Sequence, residues 1–286
     1  MRRVEQSGRL RIGELSRRVD VSPELLRAWE TRYGLVRPQR TTGGLRLYSE
    51  EDERRVLVMK ERMAAGLSAS EAARQVGRED APAQSADVPQ LLEELEHSFD
   101  TLDEAAAQAA LDRVLRGLSL EVALPEVVMP FLRRVGERWA SAELSVAHEH
   151  FASNVIGGRL RGLARGWGDG VGPRAVLACP PGENHELGLL CFGLLLRERG
   201  WRITYLGAGT PPGDIATALG SVAPAVVVLS AVSAHPFMDA GEQIRALAGD
   251  ARVAVGGAGA SEALAEKLGA ELLPPDLVAG AAALAP

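Results

Sequence analysis

The sequence predicts a multidomain protein of the α plus α/β class: a winged helix-turn-helix, a four-helix bundle and a doubly wound parallel sheet. Three observations support this prediction. Two short amphipathic helices and a Gly-Gly hairpin occupy residues 1–78. Helical periodicity dominates residues 90–168, and strand-like runs alternate with helical runs over residues 169–286. Residues 79–89 hold two prolines and no periodicity, so they are predicted to form a linker.

The first two predicted helices are Leu10 to Val19 and Pro23 to Arg32. Ser22 is expected to cap the second helix, and Gly34 is expected to end it. Leu25, Leu26 and Trp29 are predicted to lie on or near the inner face of this helix, with Trp29 in the core.

Arg27 and Arg32 are predicted to face outward from the second helix, where they can reach phosphates or base edges in a major groove. A basic hairpin follows with its turn at Gly43-Gly44, and Arg40 and Arg46 are placed to contact DNA from this wing. Ser49 to Asp52 then predicts a capping box at the start of another helix.

Charge separates this region from the rest of the chain. Residues 1–78 carry 17 Arg or Lys against 11 Asp or Glu, a charge of about +6. The remainder carries 15 against 27, about −12, so only the first region is predicted to meet a polyanion.

This first region resembles the MerR-type DNA-binding domain over roughly residues 9–76. The matching positions are Arg27-Ala28-Trp29-Glu30, Arg32-Tyr33-Gly34, Pro38, Arg40-Thr41, Gly43-Gly44, Arg46, Tyr48-Ser49 and Asp52. The resemblance implies operator DNA as a partner and places Tyr48 with the four arginines among the contact residues.

Helical periodicity in the second region, residues 90–168, predicts a bundle of four helices. They are Leu91 to Phe99, Leu102 to Leu118, Glu121 to Trp139 and Ser145 to Arg165, with Asp100 and Ser145 as N-caps. Trp139 ends one helix, and Glu149 and His150 lie one turn into the next, so the three are expected to share one bundle surface. A core Trp beside surface polar residues is the alternative for this group.

Alternating strand-like and helical runs in the third region, residues 169–286, predict a flavodoxin-like, Rossmann-like sheet. Its strands are Ala175 to Ala178, Arg202 to Leu206, Ala225 to Leu229, Val253 to Gly256 and a weak fifth at Glu271 to Leu273. Its helices are Leu187 to Arg199, Gly213 to Ser221, Phe237 to Ala248 and Glu262 to Leu268. No G-x-G-x-x-G follows the first strand, which argues against a dinucleotide.

His185 lies on the loop after the first of these strands, where open α/β sheets bind ligands. Glu183 is placed to accept a hydrogen bond from one ring nitrogen, which leaves the other as an oriented metal ligand. Ser230, Val232 and the pair Gly256-Gly257 follow other strands at the same edge. A solvated loop histidine is the alternative for His185.

The cysteine pattern and the lack of a long apolar run indicate the compartment in which the protein is expected. Cys179 and Cys191 have no metal-ligand spacing and are predicted to be reduced, buried thiols of a cytoplasmic protein. No run of residues is apolar and long enough to span a bilayer, so no membrane partner is expected.

The motif Glu183-x-His185-x-x-Gly188, with Ser230-x-Val232 and Gly256-Gly257, resembles the cobalamin-binding fold of methionine synthase and the B12 mutases. The resemblance implies that His185 is the lower cobalt ligand and that the displaced nucleotide tail passes the Ser and Gly positions. The usual acid of that motif is Asp, and Glu183 is longer by one methylene.

The order of the three regions resembles the CarH/LitR family of B12-dependent photoreceptor repressors, including a Trp-x9-Glu-His signature at Trp139, Glu149 and His150. The resemblance implies adenosylcobalamin, with these three residues over the adenosyl group. It also implies a dark tetramer, built from dimers, that binds operator DNA. Light then breaks the Co–C bond and releases repression, so no enzymatic activity is expected.

The chain departs from that family at two positions. Members that form a bis-His photoproduct carry His directly after the signature Trp, where this chain has Ala140. Some members carry His at the wing tip, where this chain has Leu45. His148 is an additional histidine near the signature and a possible substitute ligand.

Three alternatives stay open at this point. The first is a regulator that senses B12 availability, with light incidental. The second is a cobalamin enzyme or methyl carrier, against which the DNA-binding region and the absence of a substrate barrel both argue. The third keeps the fold but gives the site another tetrapyrrole or no ligand.

Overall fold

The computed structural model describes residues 10–40, 45–79 and 87–284. The chain divides into two compact units, an N-terminal unit of residues 1–82 and a C-terminal unit of residues 83–286. Within the described ranges, no helix combines the length and the apolar character needed to cross a membrane.

Two helices form the predicted helix-turn-helix. Helix α1 spans Ile12–Val19 and helix α2 spans Pro23–Tyr33. Ser22 caps α2, since its hydroxyl oxygen accepts a hydrogen bond from the backbone N–H of Leu25 at 3.2 Å. Gly34 ends α2 with a φ of 61°, a conformation that glycine adopts without a steric penalty. Both predicted ends of the helix are confirmed.

The buried face of α2 is narrower than the sequence predicts. Leu26 and Trp29 are buried as expected, and Tyr33 packs against the same core. Leu25, however, is 44% exposed, so it lies near the inner face and not on it. Helical spacing centres the apolar stripe on the other three residues and leaves Leu25 at its edge.

The wing consists of two short antiparallel strands, β1 at Gln39–Arg40 and β2 at Arg46–Leu47. The predicted turn at Gly43-Gly44 lies outside the described residues. The predicted helix start at Leu10 is wrong, because Leu10 exchanges two backbone hydrogen bonds with Tyr48, at 3.0 and 2.8 Å. This bridge ties the start of the unit to the end of its wing.

Two further helices close the N-terminal unit, α3 at Glu50–Ala64 and α4 at Ala69–Glu79. Helix α3 begins with the predicted capping box. The hydroxyl oxygen of Ser49 accepts from the N–H of Asp52 at 3.1 Å, and the Asp52 carboxylate accepts from the N–H of Ser49 at 2.9 Å.

The C-terminal unit begins with a helical bundle. Its helices are α5 at Val88–Asp100, α6 at Glu104–Gly117, α7 at Leu120–Ala123, α8 at Met129–Ala140 and α9 at Val146–Leu163. A π-helical turn, Leu124–Val128, interrupts the single helix predicted from Glu121 to Trp139. Pro125 lies in this turn and Pro130 follows at the start of α8, and each removes one N–H donor from the helical pattern.

Two predicted boundaries of the bundle are wrong. Helix α5 already includes Pro89, which was assigned to the linker 79–89, because proline fits the first turn of a helix. Residues 80–86 of that linker lie outside the described residues. Asp103, and not Asp100, caps α6 by accepting from the N–H of Ala106 at 2.9 Å.

The remainder of the unit alternates strands and helices. Its strands are β3 at Arg174–Ala178, β4 at Arg202–Gly207, β5 at Val226–Ser230, β6 at Val253–Gly256 and β7 at Glu271–Leu272. Its helices are α10 at Leu187–Glu198, α11 at Pro212–Val222, α12 at His235–Asp239, α13 at Gly241–Asp250, α14 at Glu262–Leu268 and α15 at Leu277–Ala283. All strand pairs are parallel, in the order β4-β3-β5-β6-β7, which confirms the flavodoxin-like sheet.

Two helical predictions in this part differ from the structure. The helix predicted from Phe237 to Ala248 is two helices, and His235 opens the first of them. Helix α15 was not predicted, because its mostly small residues show little hydrophobic periodicity. Asp276 nevertheless caps it by accepting from the N–H of Ala279 at 2.7 Å.

The sheet is covered on both faces, and its strands alternate between two cores. Ala175 and Leu177 of β3 join a cluster that continues into the helical bundle. Val176 and Ala178 point to a second cluster, formed with α11, α13 and α14. The bundle and the sheet therefore share one apolar core, which fixes the position of α9 beside the loop that carries His185.

Cys179 and Cys191 are both free thiols, fully buried, as predicted. Burial raises the pKa of each to about 12.

Candidate functional site

The carboxyl ends of β3, β5 and β6 meet at one edge of the sheet. Strands β3 and β5 are neighbours, but the chain leaves them for opposite sides of the sheet order. This is the topological switch point at which open α/β sheets bind ligands. The loop after β3 carries Glu183 and His185, the loop after β5 carries Val232, and Gly257 follows β6.

Glu183 is the polar centre of this edge, and its side chain is only 2% exposed. One carboxylate oxygen accepts from both the backbone N–H and the ring Nδ1 of His185, each at 2.7 Å. The other oxygen accepts from the backbone N–H of Val232 at 2.7 Å. One buried carboxylate thus joins the loops that follow two different strands.

The protonation of this pair follows from these contacts. Burial opposes ionisation of Glu183, yet three hydrogen bonds from His185 and Val232 hold its pKa below the usual range. An ionised carboxylate can only accept, so Nδ1 of His185 carries the ring proton. In the neutral ring Nε2 then keeps its lone pair. Among the described residues Nε2 has no hydrogen-bond partner, and the side chain is 73% exposed.

Glycines let the loops after β5 and β6 approach each other closely. Gly257 has a φ of 86°, and a Cβ there would lie 2.4 Å from the carbonyl oxygen of Ala231 and 2.9 Å from Oγ of Ser230. The predicted residues Ser230, Gly256 and Gly257 therefore lie together, since Ser230 and Gly256 are also register partners.

Gly259 was missed by sequence reasoning. A Cβ at this position would lie 2.1 Å from the carbonyl oxygen of Ser233, closer than any real contact. Its own N–H donates to the carbonyl oxygen of Ala231 at 3.0 Å. The spacing Gly256-Gly257-x-Gly259 was the available signal.

Gly188 and Val232, the two remaining predicted residues of this edge, contact other parts of the fold. Gly188 lies in the first turn of α10, where a Cβ would make ordinary contact with Met129 of α8, at 3.6 Å. The side chain of Val232 is 49% exposed, so its backbone serves Glu183 while its apolar side chain faces outward.

The bundle contributes a second group at the corner between α8 and α9. Trp139 is 49% exposed at the end of α8, so the alternative of a core Trp is wrong. Glu149 accepts from the hydroxyl of Ser153 at 2.7 Å, and its other oxygen lies 3.5 Å from Nε2 of His150. The side chain of His150 is 69% exposed.

Ala140 and His148 flank this group. Ala140 is the exposed last residue of α8, directly after Trp139. Nδ1 of His148 lies 2.8 Å from the hydroxyl of Ser145, at the start of α9. Ser145 is thus the predicted N-cap by position, but its side chain makes no cap hydrogen bond.

A polar joint between the bundle and the sheet was also missed by sequence reasoning. Glu186 forms an ion pair with Arg161 of α9 and accepts from the hydroxyl of Tyr205 at 3.0 Å. It also accepts from the N–H of Ala208 at 3.2 Å. Gly207 makes room for the carboxylate, because a Cβ there would lie 2.7 Å from it. The joint holds the His185 loop against α9.

The N-terminal unit presents a second candidate surface. Arg27 and Arg32 are exposed on α2, as predicted, and the side chain of Arg40 lies outside the described residues. Nε of Arg46 donates to Glu30 at 3.0 Å. The prediction that Tyr48 contacts DNA is wrong, because its side chain is fully buried and its hydroxyl is bound within the unit.

Comparison with known proteins connects these surfaces to a family. The family described as MerR HTH family regulatory protein matches residues 10–76. Two families described as B12 binding domain match residues 91–163 and 173–283. The HTH-type transcriptional repressor CarA of Myxococcus xanthus is 39% identical over 269 residues, which cover 89% of this chain and 88% of CarA. The chain belongs to the CarA/CarH family of HTH-type transcriptional repressors.

A second family member gives the same result. The HTH-type transcriptional repressor CarH of Myxococcus xanthus is 37% identical over 278 residues, covering 87% of this chain and 89% of CarH. Among solved structures, the Methanosarcina barkeri monomethylamine corrinoid protein matches with a TM-score of 0.56 at 15% identity. That match covers 68% of this chain and 97% of the other, and it supports the fold of the C-terminal unit.

The site of this CarA/CarH family member fits cobalamin on its own chemistry. Nε2 of His185 is an accessible, oriented nitrogen donor of the kind that cobalt accepts. Gly257 and Gly259 clear the sheet edge of side chains, and Trp139 and Val232 offer exposed apolar surface. The longer acid Glu183 still reaches Nδ1, so the departure from the usual Asp does not disturb the pair.

Within the described ranges, His235 is the only other histidine that follows a strand of the sheet. Its Nε2 lies 3.2 Å from Oδ2 of Asp239, one turn along the short helix α12. Because this nitrogen is directed at a carboxylate of its own helix, His235 is a weaker candidate ligand than His185.

Proposed function

We propose that this protein is a light-responsive transcriptional repressor that uses adenosylcobalamin as its chromophore. The cofactor-bound form binds operator DNA in the dark as a tetramer of two dimers, and light ends repression. Membership of a repressor family supports the proposed DNA binding and repression of transcription. The observation that carries the cofactor part is the Glu183–His185 pair, which leaves one ring nitrogen oriented and open.

His185 is the residue that would hold cobalt, through Nε2. Glu183 fixes the ring tautomer and its direction, and the Val232 N–H fixes Glu183 in turn. Gly257 and Gly259 give the nucleotide tail a path along the sheet edge, with Ser230 beside it.

Trp139, Glu149 and His150 would form the opposite wall of the pocket. Trp139 supplies apolar area, and the two polar side chains can orient the polar edge of an adenosyl group. When bound, adenosylcobalamin supplies a cobalt–carbon bond that light can break. Trp139 would pack against the adenosyl group while that group is held, so the position of the bundle and the assembly that depends on it would follow the state of the cofactor.

The test compares one protein sample in the dark and after green light. The purified chain is loaded with adenosylcobalamin, and its absorption spectrum, oligomer mass and affinity for a selected DNA site are measured in both states. We expect the mass and the DNA affinity to fall after photolysis. Unchanged mass and affinity after complete photolysis, followed in the spectrum, would reject the light response.

One observation favours a second candidate, a repressor that senses B12 availability. Ala140 cannot ligate cobalt, so this chain lacks the residue that follows the signature Trp in relatives with a bis-His photoproduct. Under this alternative, cofactor loading alone changes mass and DNA affinity, and cobalamins without an adenosyl group act as well as adenosylcobalamin. Parallel loading with hydroxocobalamin separates the two candidates.

A further inference from the structure

The N-terminal unit contains a polar joint between the helix-turn-helix and the wing. Glu30 lies on α2, and each of its carboxylate oxygens has a partner from the wing. Oε1 accepts from Nε of Arg46 at 3.0 Å, and Oε2 accepts from the hydroxyl of Tyr48 at 3.2 Å. The Glu30 side chain is 18% exposed, so the carboxylate is largely withdrawn from water.

Tyr48 gives this joint a fixed anchor. Its side chain is fully buried, and its backbone exchanges two hydrogen bonds with Leu10. Burial, together with the nearby Glu30 carboxylate, raises the pKa of Tyr48 to about 12, so its hydroxyl remains a donor at neutral pH. The carboxylate is therefore held in place independently of Arg46.

The contact with Glu30 engages only part of the Arg46 guanidinium. Its side chain is 40% exposed, and within the described residues only Nε is engaged by Glu30. A guanidinium has five N–H donors in a fixed plane, so its terminal groups stay available in a set direction. Glu30 thus orients Arg46 relative to Arg27 and Arg32, which lie on the same helix as Glu30.

The presence of an acid at this place has a cost for DNA binding. Glu30 lies among arginines on a helix that faces a polyanion, where each negative charge weakens phosphate attraction. A partly exposed ion pair adds little to stability, so stability is a poor reason for the pairing. Fixed orientation of a base-contacting or phosphate-contacting arginine is the benefit that the geometry provides.

We propose that Glu30 is a positioning residue for sequence selectivity: it locks the wing arginine Arg46 to the recognition helix. Loss of its charge frees Arg46 to contact any phosphate, which strengthens binding to random DNA and weakens discrimination. This inference rests on DNA binding by the N-terminal unit and not on light or cobalamin.

The test uses the full-length protein and two duplexes of equal length. One duplex is a site selected by the unaltered protein from a random pool, and the other has random sequence. Glu30→Gln is compared with Glu24→Gln, which removes the same charge from an exposed position on the same helix. Gln can still accept from the Tyr48 hydroxyl, so the unit is expected to fold, and thermal melting checks this.

Both variants are expected to bind random DNA severalfold more tightly, because each loses one negative charge. Only Glu30→Gln should lose about tenfold in the ratio of selected to random affinity. Its salt dependence on random DNA should also steepen by about one ion, as a new phosphate contact predicts.

Arg46→Gln provides the readout that a purely structural role would not move. If Glu30 acts through Arg46, adding Glu30→Gln to Arg46→Gln should leave the affinity ratio unchanged. A further loss of selectivity in the double variant, or an equal loss in Glu24→Gln, would overturn the proposal.

Discussion

The C-terminal unit contains two glutamate–histidine pairs that differ in how firmly they are held. In the pair Glu183–His185 the carboxylate is 2% exposed and accepts three hydrogen bonds of 2.7 Å from two loops. In the pair Glu149–His150 the carboxylate is 34% exposed and lies 3.5 Å from the ring. The two histidines are almost equally exposed, at 73% and 69%.

The two pairs therefore differ in the burial and hydrogen bonding of the carboxylate and not in the exposure of the histidine. The pair at the sheet edge is organised by the fold itself, so it can orient a ligand on first contact. The pair on the bundle is held mainly by Ser153 of its own helix, so its arrangement depends on what it touches. Under the proposed function, this asymmetry would give the cofactor a constant face at Glu183–His185 and a responsive face at Glu149–His150.

The largest expected effect concerns the rigidity of the sheet-edge loop. Cys179 begins this loop, and its backbone N–H and C=O bind Gly207 and Thr210, both at 2.8 Å. With a thiol pKa of about 12, against about 8.5 in an unfolded chain, the reactive thiolate at pH 8 should be on the order of a thousandfold scarcer.

Iodoacetamide labelling of a Cys191→Ala variant, with and without denaturant, measures this difference. Raising the pH above about 8.5 should also favour unfolding, since unfolded thiols ionise there while buried ones stay neutral. Native labelling as fast as in denaturant would mean that the loop is open and would remove the contrast between the two pairs.

The second prediction concerns the proposed metal ligand. His185→Ala should abolish the spectrum of His-ligated, base-off cobalamin and weaken cofactor binding by about a hundredfold. The cofactor-free protein should lose about 1 kcal/mol of stability, because the ring is mostly exposed but supplies one of the three hydrogen bonds to Glu183. His235→Ala is the control, since that ring is also exposed and follows a neighbouring strand. Loss of the axial ligand in His235→Ala instead would reverse the assignment.

The third prediction applies one substitution to both pairs. Glu183→Gln should weaken cobalamin binding by roughly tenfold to a hundredfold and destabilise the cofactor-free protein by about 1–3 kcal/mol. The amide has one oxygen for three donors and brings an NH2 group into a buried place. Glu149→Gln should leave that stability unchanged. Chemical denaturation of both variants measures the two free energies of unfolding. Equal destabilisation would mean that the two glutamates are held equally firmly.

The fourth prediction separates packing with the cofactor from packing with the fold. Trp139→Ala should weaken adenosylcobalamin binding by about tenfold while binding of hydroxocobalamin, which lacks the adenosyl group, changes little. Phe131 lies on the same helix but is 1% exposed, so Phe131→Ala should cost about 3–5 kcal/mol of folding stability. A large stability loss in Trp139→Ala would mean that Trp139 belongs to the core.

The architecture was predictable because its signals are local and periodic. Ser22, Gly34 and the Ser49–Asp52 box fix helix ends through contacts within a few residues, and β6 and α14 match their predicted bounds. The position of His185 also followed from local order, because it lies directly after a buried strand.

The parts that could not be predicted depend on contacts distant in sequence. Glu183 meets Val232 across 49 positions, and Arg161 meets Glu186 across 25. Tyr48 was placed on the surface by its motif, but its burial depends on Leu10 and Glu30. Helix periodicity also could not locate the π-turn at Leu124–Val128, where Pro125 lacks an N–H donor and Pro130 follows in α8.

The smallest expected effect concerns the responsive face after light. Ala140 is exposed at the end of α8, beside Trp139, so a histidine there can be accommodated without disturbing the core. Under the proposed function, Ala140 would leave cobalt after photolysis to water, or to His148 or His150 if the bundle moves. His148 is already engaged by Ser145 at 2.8 Å, which competes with that role.

Ala140→His should therefore slow the loss of cobalamin from the illuminated protein by about fivefold, equivalent to about 1 kcal/mol, with dark binding unchanged. The measurement is the rate of cobalamin release after complete photolysis, with the spectrum recorded for a second nitrogen ligand. Ser141→His is the matched control, because it adds the same ring one residue farther from Trp139. An equal effect of both substitutions would indicate a general effect of charge or bulk at this corner. An effect of Ala140→His alone would mean that the bundle brings position 140 within reach of cobalt, and that the responsive face moves while the sheet-edge pair stays fixed.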